Sequence, residues 1–193
     1  HGVVSRHGQG AGAAPYAWPL RRHPTRPVSA QDLLTPRMAA LLERIARANR
    51  PGFETMTPRE ARLAYTVAAE VLEPPRAPLP RVADITLPGA GGAPLAARLY
   101  APSAGVLPVL LYLHGGGFTI GNLETHDSLC RQLALRSGAA VVALDYRLAP
   151  EHRFPAAVDD CWAALQALAQ PATGTRLGLD PARLAVGGDS AGG

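Results

Sequence analysis

The residues with the most definite chemistry lie at the end of the chain, where an apolar run leads into a serine between glycines. Residues 184–193 read LAVGGDSAGG. Residues 188–192 match G-x-S-x-G, the pattern of a nucleophile elbow, in which a sharp turn from strand to helix exposes the serine. Because this turn strains the serine backbone and brings neighbouring chain close, its flanking positions require glycine. The pattern therefore predicts Ser190 as a catalytic nucleophile.

A second motif offers groups that could stabilise the oxyanion formed when a serine attacks a carbonyl group. Residues 109–113 read VLLYL, a short apolar run that predicts a buried strand, and residues 114–118 read HGGGF. Three successive glycines leave backbone N–H groups unobstructed at the end of the strand. Each donor aimed at an oxyanion is worth about 3–4 kcal/mol. The glycine loop is therefore a candidate oxyanion-binding loop.

A third motif identifies a family. Residues 145–160 read DYRLAPEHRFPAAVDD. Together with HGGGF and with GGDSAGG over residues 187–193, this motif makes the chain closely resemble the hormone-sensitive-lipase-like esterases, which have the α/β-hydrolase fold. The resemblance extends over roughly residues 35–193 and is densest over roughly residues 109–193. It implies a carboxylic ester hydrolase that acts on short to medium acyl esters, with a small-molecule ester as substrate and with no metal or organic cofactor.

The resemblance also implies roles for individual residues. It makes Ser190 the nucleophile that forms an acyl-enzyme. It makes His114, with Gly115, the residue that orders the glycine loop, and not the catalytic base. It assigns the oxyanion hole to the backbone N–H groups of Gly116, Gly117 and Ala191.

The resemblance is incomplete after the elbow. In this fold the catalytic acid and then the catalytic histidine follow the serine in the chain, and only three residues follow Ser190 here. The histidines His114, His126 and His152 all precede the serine, and each lies in a family motif with another role. None of them is a substitute for the missing base.

The acidic residues near the motifs are not assigned to a catalytic triad either. Asp145 and Asp159 precede the serine and are expected to pair with Arg147 and its neighbours. Asp189 adjoins the serine, but a residue at that place in an elbow points away from it. We therefore expect a fragment of a longer esterase, inactive by itself.

Other functions are compatible with part of this pattern. The main alternative is a catalytically inactive, truncated α/β-hydrolase that acts as a binding or interaction module. Amide or lactone hydrolysis would use the same groups as ester hydrolysis, and the fold does not choose between them. A serine peptidase of the trypsin type needs glycine at the position of Ala191 and an all-β pattern, which the predicted helices contradict.

Composition indicates a globular protein, with 47% hydrophobic and 18% charged residues. The net charge is only +4 and the arginines are scattered, which argues against a nucleic-acid partner. The sequence contains no apolar run of about 18 residues, so no membrane-spanning helix is predicted.

The two cysteines, Cys130 and Cys161, do not have the spacing of metal ligands and are expected to be small, buried residues in helices. Reduced cysteines and the lack of a signal-peptide pattern favour a cytoplasmic location. The oligomeric state is left open.

The elements that position the motifs follow from periodicity and helix-end signals. Residues 1–30 are rich in Gly, Ala, Pro and Arg without periodicity, which predicts a disordered leader. Residues 31–75 predict two helices, the second opened by Thr57 with Glu60 at the capping-box position, and the resemblance makes them a cap over the active site. Residues 81–193 predict the N-terminal part of the catalytic domain.

Within that domain, predicted strands and helices alternate. The predicted elements are a hairpin of strands 81–88 and 95–102, strands 106–113, 140–145 and 184–188, and helices 123–137 and 155–170. This order predicts an α/β fold with a mostly parallel sheet and right-handed crossovers. Active sites on such sheets lie at the carboxyl ends of the strands, so we expect the glycine loop and the elbow to converge there.

Overall fold

A computed structural model describes Ser29 and residues 33–193 of the chain. The leader predicted over residues 1–30 therefore lies outside the described residues, apart from Ser29. The chain divides into two compact units, His1–Arg50 and Pro51–Gly193.

Helix α1 (Pro36–Ala48) belongs to the first unit and begins where the sequence indicates. Thr35 caps it by accepting a hydrogen bond from the backbone N–H of Met38, and proline occupies the first turn. Asn49 ends the helix in the left-handed conformation, with φ of 44°. The first of the two helices predicted over residues 31–75 is confirmed.

Helix α2 (Pro58–Leu72) opens the helical part of the second unit with a capping box. The Thr57 hydroxyl accepts a hydrogen bond from the Glu60 N–H, and the Glu60 carboxylate accepts one from the Thr57 N–H at 2.8 Å. Two backbone donors that the first turn leaves unpaired are thereby satisfied. The capping box predicted from these two residues is confirmed.

Five strands of the second unit form one mixed sheet in the order β1-β2-β4-β3-β5. Their bounds are β1 Arg81–Pro88, β2 Pro94–Ala101, β3 Leu107–Leu113, β4 Ala140–Leu144 and β5 Leu179–Gly188. Strands β1 and β2 form the predicted antiparallel hairpin, and β2 pairs antiparallel with β4. Strands β4, β3 and β5 are parallel. The α/β fold is confirmed, and the parallel part of the sheet consists of the strands that lead into the three motifs.

Helices cover both faces of this sheet. They are α3 (Asp127–Ser137), α4 (Ala156–Leu168) and α5 (Pro171–Leu177). Successive residues of β3 face opposite sides: Leu111 packs in a cluster with Ala164 of α4, and Tyr112 packs in a cluster with Ala134 of α3. Burial on both faces explains why β3 and β4 are largely continuous apolar runs. No helix among the described residues is long and apolar enough to span a membrane.

The starts of α3 and β5 differ from the sequence expectations, and one further helix is present. Helix α3 begins at Asp127 rather than at residue 123, because the Asn122 side chain accepts two backbone N–H groups and holds the intervening residues in a turn. Strand β5 begins at Leu179, and its pairing with β3 is interrupted by a register shift before residue 184. Helix α5 was not predicted, and Pro171 occupies its first turn.

Both cysteines are free, and both lie in helices as expected. Cys130 of α3 is buried and Cys161 of α4 is partly buried. Burial raises the pKa of each thiol to about 12. Neither cysteine therefore forms a thiolate nucleophile at neutral pH.

An ion pair with a buried carboxylate joins α4 to the segment after β4. The carboxylate of Asp160 accepts hydrogen bonds from the Arg147 guanidinium at 2.7 and 2.8 Å and from the Ala90 N–H at 3.0 Å. Burial opposes ionisation of Asp160, but these donors outweigh it and hold its pKa below the ordinary value. The expectation that Asp145 or Asp159 would be the partner of Arg147 is wrong, because Asp160 is the carboxylate that lies buried beside it.

Replacing Asp160 by Asn should lower the free energy of unfolding by about 2 kcal/mol at pH 7, because the buried position loses the carboxylate that accepts charge-assisted hydrogen bonds from the partly exposed Arg147 guanidinium. The folded-state pKa is depressed, so this stabilisation is present above the unfolded value of about 3.9 and is lost as the pH falls through the folded value. Denaturant unfolding at pH 7 and at pH 3 measures the difference, which should shrink at pH 3. The exposed neighbour provides the control Asp159→Asn, and equal losses in the two variants would contradict the assignment.

Candidate functional site

Ser190 lies in the turn that follows β5, as the elbow pattern predicts. Its φ of 52° places it in the left-handed region, where non-glycine residues are strained and cluster at functional sites. Ser190 is exposed and begins a short helical turn, Ser190–Gly192. A Cβ atom at Gly188 would overlap the Gly192 carbonyl, and one at Gly192 would overlap the Leu113 carbonyl. Both flanking glycines are therefore required by close backbone contact.

The glycine loop follows β3 and turns back on itself. Gly116 and Gly117 have positive φ values of 130° and 58°. The carbonyl oxygen of Gly116 accepts hydrogen bonds from the N–H groups of Thr119 at 3.1 Å and Ile120 at 3.0 Å. A Cβ atom at Gly116 would overlap the Ile120 carbonyl. Glycine is thus required at Gly116 by both conformation and space.

The side chain of Asp189 joins the elbow to the glycine loop. Its Oδ1 accepts hydrogen bonds from the Gly115 N–H at 2.8 Å and from the Tyr112 hydroxyl at 2.7 Å, and His126 Nε2 lies 3.3 Å away. A Cβ atom at Gly115 would overlap this carboxylate. The Asp189 side chain is therefore directed at the glycine loop and not at Ser190. Sequence reasoning left it without a positioning role.

The surroundings of Asp189 keep it ionised. Partial burial acts to raise its pKa, but the hydrogen bonds donated by Tyr112 and Gly115 outweigh burial and hold the pKa below the ordinary value. Burial, reinforced by the bond to Asp189, raises the pKa of Tyr112, which therefore stays protonated as a donor. A charged acceptor forms stronger hydrogen bonds than a neutral one, so the link to the glycine loop is strong at neutral pH.

His114 lies buried beneath the glycine loop. Its Nδ1 is 2.8 Å from the Gly115 carbonyl oxygen, which requires Nδ1 to carry the proton and donate. Its ring stacks on that of Tyr146 with 4.4 Å between centroids, and the Tyr146 hydroxyl donates to the His114 carbonyl. Burial lowers the pKa of His114, so the ring is neutral at neutral pH. These contacts fit the loop-ordering role that the resemblance implies.

Arg62 of α2 holds the far end of the glycine loop. Its guanidinium donates to the carbonyl oxygens of Thr119 and Ala149, each at 2.8 Å. It also forms a two-point ion pair with Glu151 at 2.9 and 2.6 Å. These partners are 57 to 89 residues away along the chain, and no local pattern marks Arg62. Helix α2 is thereby fixed to two of the three motifs.

Comparison with known proteins adds relatives of this arrangement. A family model described as the alpha/beta hydrolase fold matches residues 110–193. The chain is 50% identical over 117 residues to esterase LipI of Mycobacterium tuberculosis and 47% identical over 118 residues to an ethyl acetate hydrolase of Pseudomonas putida. Each match covers 58% of this chain and 36% of the relative. The matched part is therefore about a third of the length of these curated relatives.

Solved structures match over more of the chain. An ester hydrolase from the metagenome of Lake Arreo is 43% identical with a TM-score of 0.75, and the match covers 83% of this chain and 52% of that one. An esterase of the archaeon Pyrobaculum calidifontis is 43% identical with a TM-score of 0.74, over 82% of this chain and 50% of that one. The chain thus spans about half the length of the solved esterases that it matches.

Replacing Asp189 by Ala should loosen the glycine loop, because it leaves the buried Gly115 N–H and the Tyr112 hydroxyl without their acceptor. We expect a loss of about 2 kcal/mol in the free energy of unfolding and at least about tenfold faster hydrogen exchange of the Gly115 amide. Denaturant unfolding and amide exchange followed by NMR measure the two effects.

Two tyrosine variants, one of them a control, test the link further. Tyr112→Phe removes one donor to Asp189 and should raise the exchange rate of the Gly115 amide by less than Asp189→Ala does. Tyr65→Phe removes a hydroxyl for which no hydrogen bond occurs in the described part of the chain, and should leave Gly115 exchange unchanged. Equal effects of the two variants, or unchanged exchange in Asp189→Ala, would refute the link.

Replacing Arg62 by Lys keeps the charge but removes the planar fork that reaches two carbonyl groups and a carboxylate together. We expect a loss of about 1–2 kcal/mol in the free energy of unfolding, with faster exchange of amides in the glycine loop. Glu151→Gln should have a much smaller effect, because exposed ion pairs contribute little. Arg59→Lys, an exposed position on the same helix, is the control. If Glu151→Gln is as damaging as Arg62→Lys, the carbonyl contacts do not carry the effect.

Proposed function

Because residues 110–193 match a family model described as the alpha/beta hydrolase fold, and relatives that the chain matches are named as esterases and carboxylic ester hydrolases, we propose that it carries the nucleophile and the oxyanion hole of a serine carboxylesterase. The observation that carries the proposal is the hydrogen bond of 2.8 Å between Asp189 and the Gly115 N–H. It ties the residue next to Ser190 to the glycine loop, so the two motifs share one edge of the sheet.

In the proposed reaction, the Ser190 hydroxyl oxygen attacks the ester carbonyl carbon while a general base takes the hydroxyl proton. The carbonyl oxygen becomes an oxyanion, and the N–H groups of Gly116, Gly117 and Ala191 donate hydrogen bonds to it. The alcohol leaves with a proton returned by the base, and an acyl group remains on Ser190. Water then attacks the acyl-enzyme and releases the carboxylic acid.

The general base is not assigned to any described residue. His114 is buried and donates to the glycine loop, and His126 lies against Asp189. In this fold the acid and the histidine follow the serine in chain order. The proposal therefore gives this chain the nucleophile and the groups that stabilise the transition state, and it gives the proton transfer to the remainder of the triad.

The proposed substrates are small esters with short to medium acyl groups. Two relatives are named as an ethyl acetate hydrolase and an acetyl esterase, at 47% and 41% identity over the matched segments. Support for carrying this substrate class to the present chain comes from these identities, over 118 and 95 matched residues.

The second candidate function is ligand binding without turnover. It rests on the same contact between the two motifs, because the elbow and the glycine loop at one edge of the sheet could hold an ester or a carboxylic acid whether or not it is hydrolysed. The two candidates differ in whether substrate is consumed.

The test is hydrolysis of 4-nitrophenyl acetate and butyrate by the protein that contains this chain. Ser190→Ala should lower kcat at least about 10³-fold, because loss of a triad nucleophile leaves only the catalysis from binding and the oxyanion hole. Ser103→Ala, at an exposed position between β2 and β3, should leave kcat unchanged. Retained hydrolysis in Ser190→Ala would refute the assignment, and binding without hydrolysis by the unaltered protein would favour the second candidate.

A further inference from the structure

An apolar pocket of about 270 Å³ opens beside the glycine loop. One wall is formed by Gly117 and Phe118 of the loop. Another wall is formed by Phe154 and Pro155, which lead into α4, and by Val158 in the first turn of that helix. The pocket therefore lies between two of the motifs and touches one of the proposed oxyanion donors.

Three large apolar side chains that line this pocket are exposed at its opening. Phe118 is 44% exposed, Val158 51% and Phe154 87%. Scattered exposed apolar residues are ordinary, but a group of them around one concave opening is typical of a binding site for an apolar ligand. The pocket wall thus has the chemistry of a hydrophobic subsite.

The position of Phe118 is fixed at a cost in backbone strain. Its φ is 59°, in the left-handed region that bulky residues rarely adopt. The Phe118 carbonyl accepts a hydrogen bond of 2.8 Å from the Ala149 N–H, and Ala149 is in turn held by Arg62. A strained residue that its surroundings hold in place is a sign of a functional position.

We propose that this pocket binds an apolar arm of the ester substrate, with Phe118, Phe154 and Val158 determining the size of the arm. The inference rests on the proposed function, because Gly117 is both a proposed donor to the oxyanion and part of the pocket wall. A group bonded to the reacting carbonyl carbon, or to its ester oxygen, starts within reach of that wall.

The volume sets the size of the arm. A closed apolar cavity of about 150 Å³ is enough to bind benzene, and pockets for drug-sized ligands begin at about 300 Å³. A pocket of about 270 Å³ therefore accepts a phenyl ring or an unbranched chain of roughly four to six carbons. Each methylene that enters it should raise affinity about fourfold, and carbons beyond the pocket should add little.

Binding without turnover is the first test, with methyl ketones as non-hydrolysable analogues of esters. NMR shift titration of the full chain with 2-butanone, 2-hexanone, 2-octanone and 2-decanone should show affinity rising with length and then levelling off. Val158→Trp fills the pocket and should weaken 2-octanone binding at least about tenfold while leaving 2-butanone within about twofold. The same length dependence in the variant and in the unaltered chain would overturn the proposal.

Matched variants separate the pocket from damage to the fold. Trp162 also lies on helix α4 and is 59% exposed, but it is not part of the pocket wall. Trp162→Ala should therefore leave the affinity for each ketone unchanged. Phe154→Ala alters a side chain that is 87% exposed, so it should fold normally and weaken binding of 2-hexanone and 2-octanone. Equal ketone affinities in Phe154→Ala and Trp162→Ala would also overturn the proposal.

Turnover by the protein that contains this chain then distinguishes the two arms of the ester. One series varies the acyl chain of methyl esters, and the other varies the alcohol of acetates. Val158→Trp should lower kcat/KM at least about tenfold for the long members of one series only, which identifies the arm. Hydrolysis that does not depend on Ser190 would overturn the proposed function. Hydrolysis that depends on Ser190, with both length profiles unchanged in Val158→Trp, would overturn the pocket assignment alone.

Discussion

The Asp189 carboxylate makes the contact on which the candidate site depends. Strands β3 and β5 are neighbours in the sheet, which brings their two following turns to the same edge. Proximity alone does not fix a run of three glycines, because glycine loses more conformational freedom on folding than any other residue. The bond from the Gly115 N–H to Asp189 supplies the missing constraint, and its charge makes it a strong one.

The glycine loop is held at both ends, and this has a consequence for function. Asp189 binds its start at Gly115, and Arg62 binds the carbonyl of Thr119 after its final turn. Donors fixed before the substrate arrives need no reorganisation as negative charge develops, which is how oxyanion holes lower barriers. Helix α2 therefore contributes to the rigidity of the candidate site, beyond any role as a covering helix.

The parts predictable from sequence were those that depend on near neighbours. The strand-to-turn signals of the two glycine motifs and the capping box at Thr57 and Glu60 are read within a few residues. The contacts of Arg62 and Tyr112 were not predictable, because their partners lie 57 to 89 and 77 residues away. Side-chain bonding by Asn122 moved the start of α3, and a break in the β3–β5 register lengthened β5. The catalytic roles of Ser190 and the glycine N–H groups stay predictions.

The segment between β4 and α4 contacts both the strained end of the glycine loop and helix α4. In the described chain, positive φ outside glycine occurs at three residues, and two of them, Phe118 and Ser190, belong to the motifs at the site. Strain of this kind persists only where surrounding contacts outweigh it. Ala149 donates to the Phe118 carbonyl and accepts from Arg62, and Arg147, two residues earlier, anchors the same segment to α4 through the buried Asp160. A change in the ion pair between Arg147 and Asp160 should therefore be transmitted to the conformation of the glycine loop, since one short stretch of backbone carries both contacts.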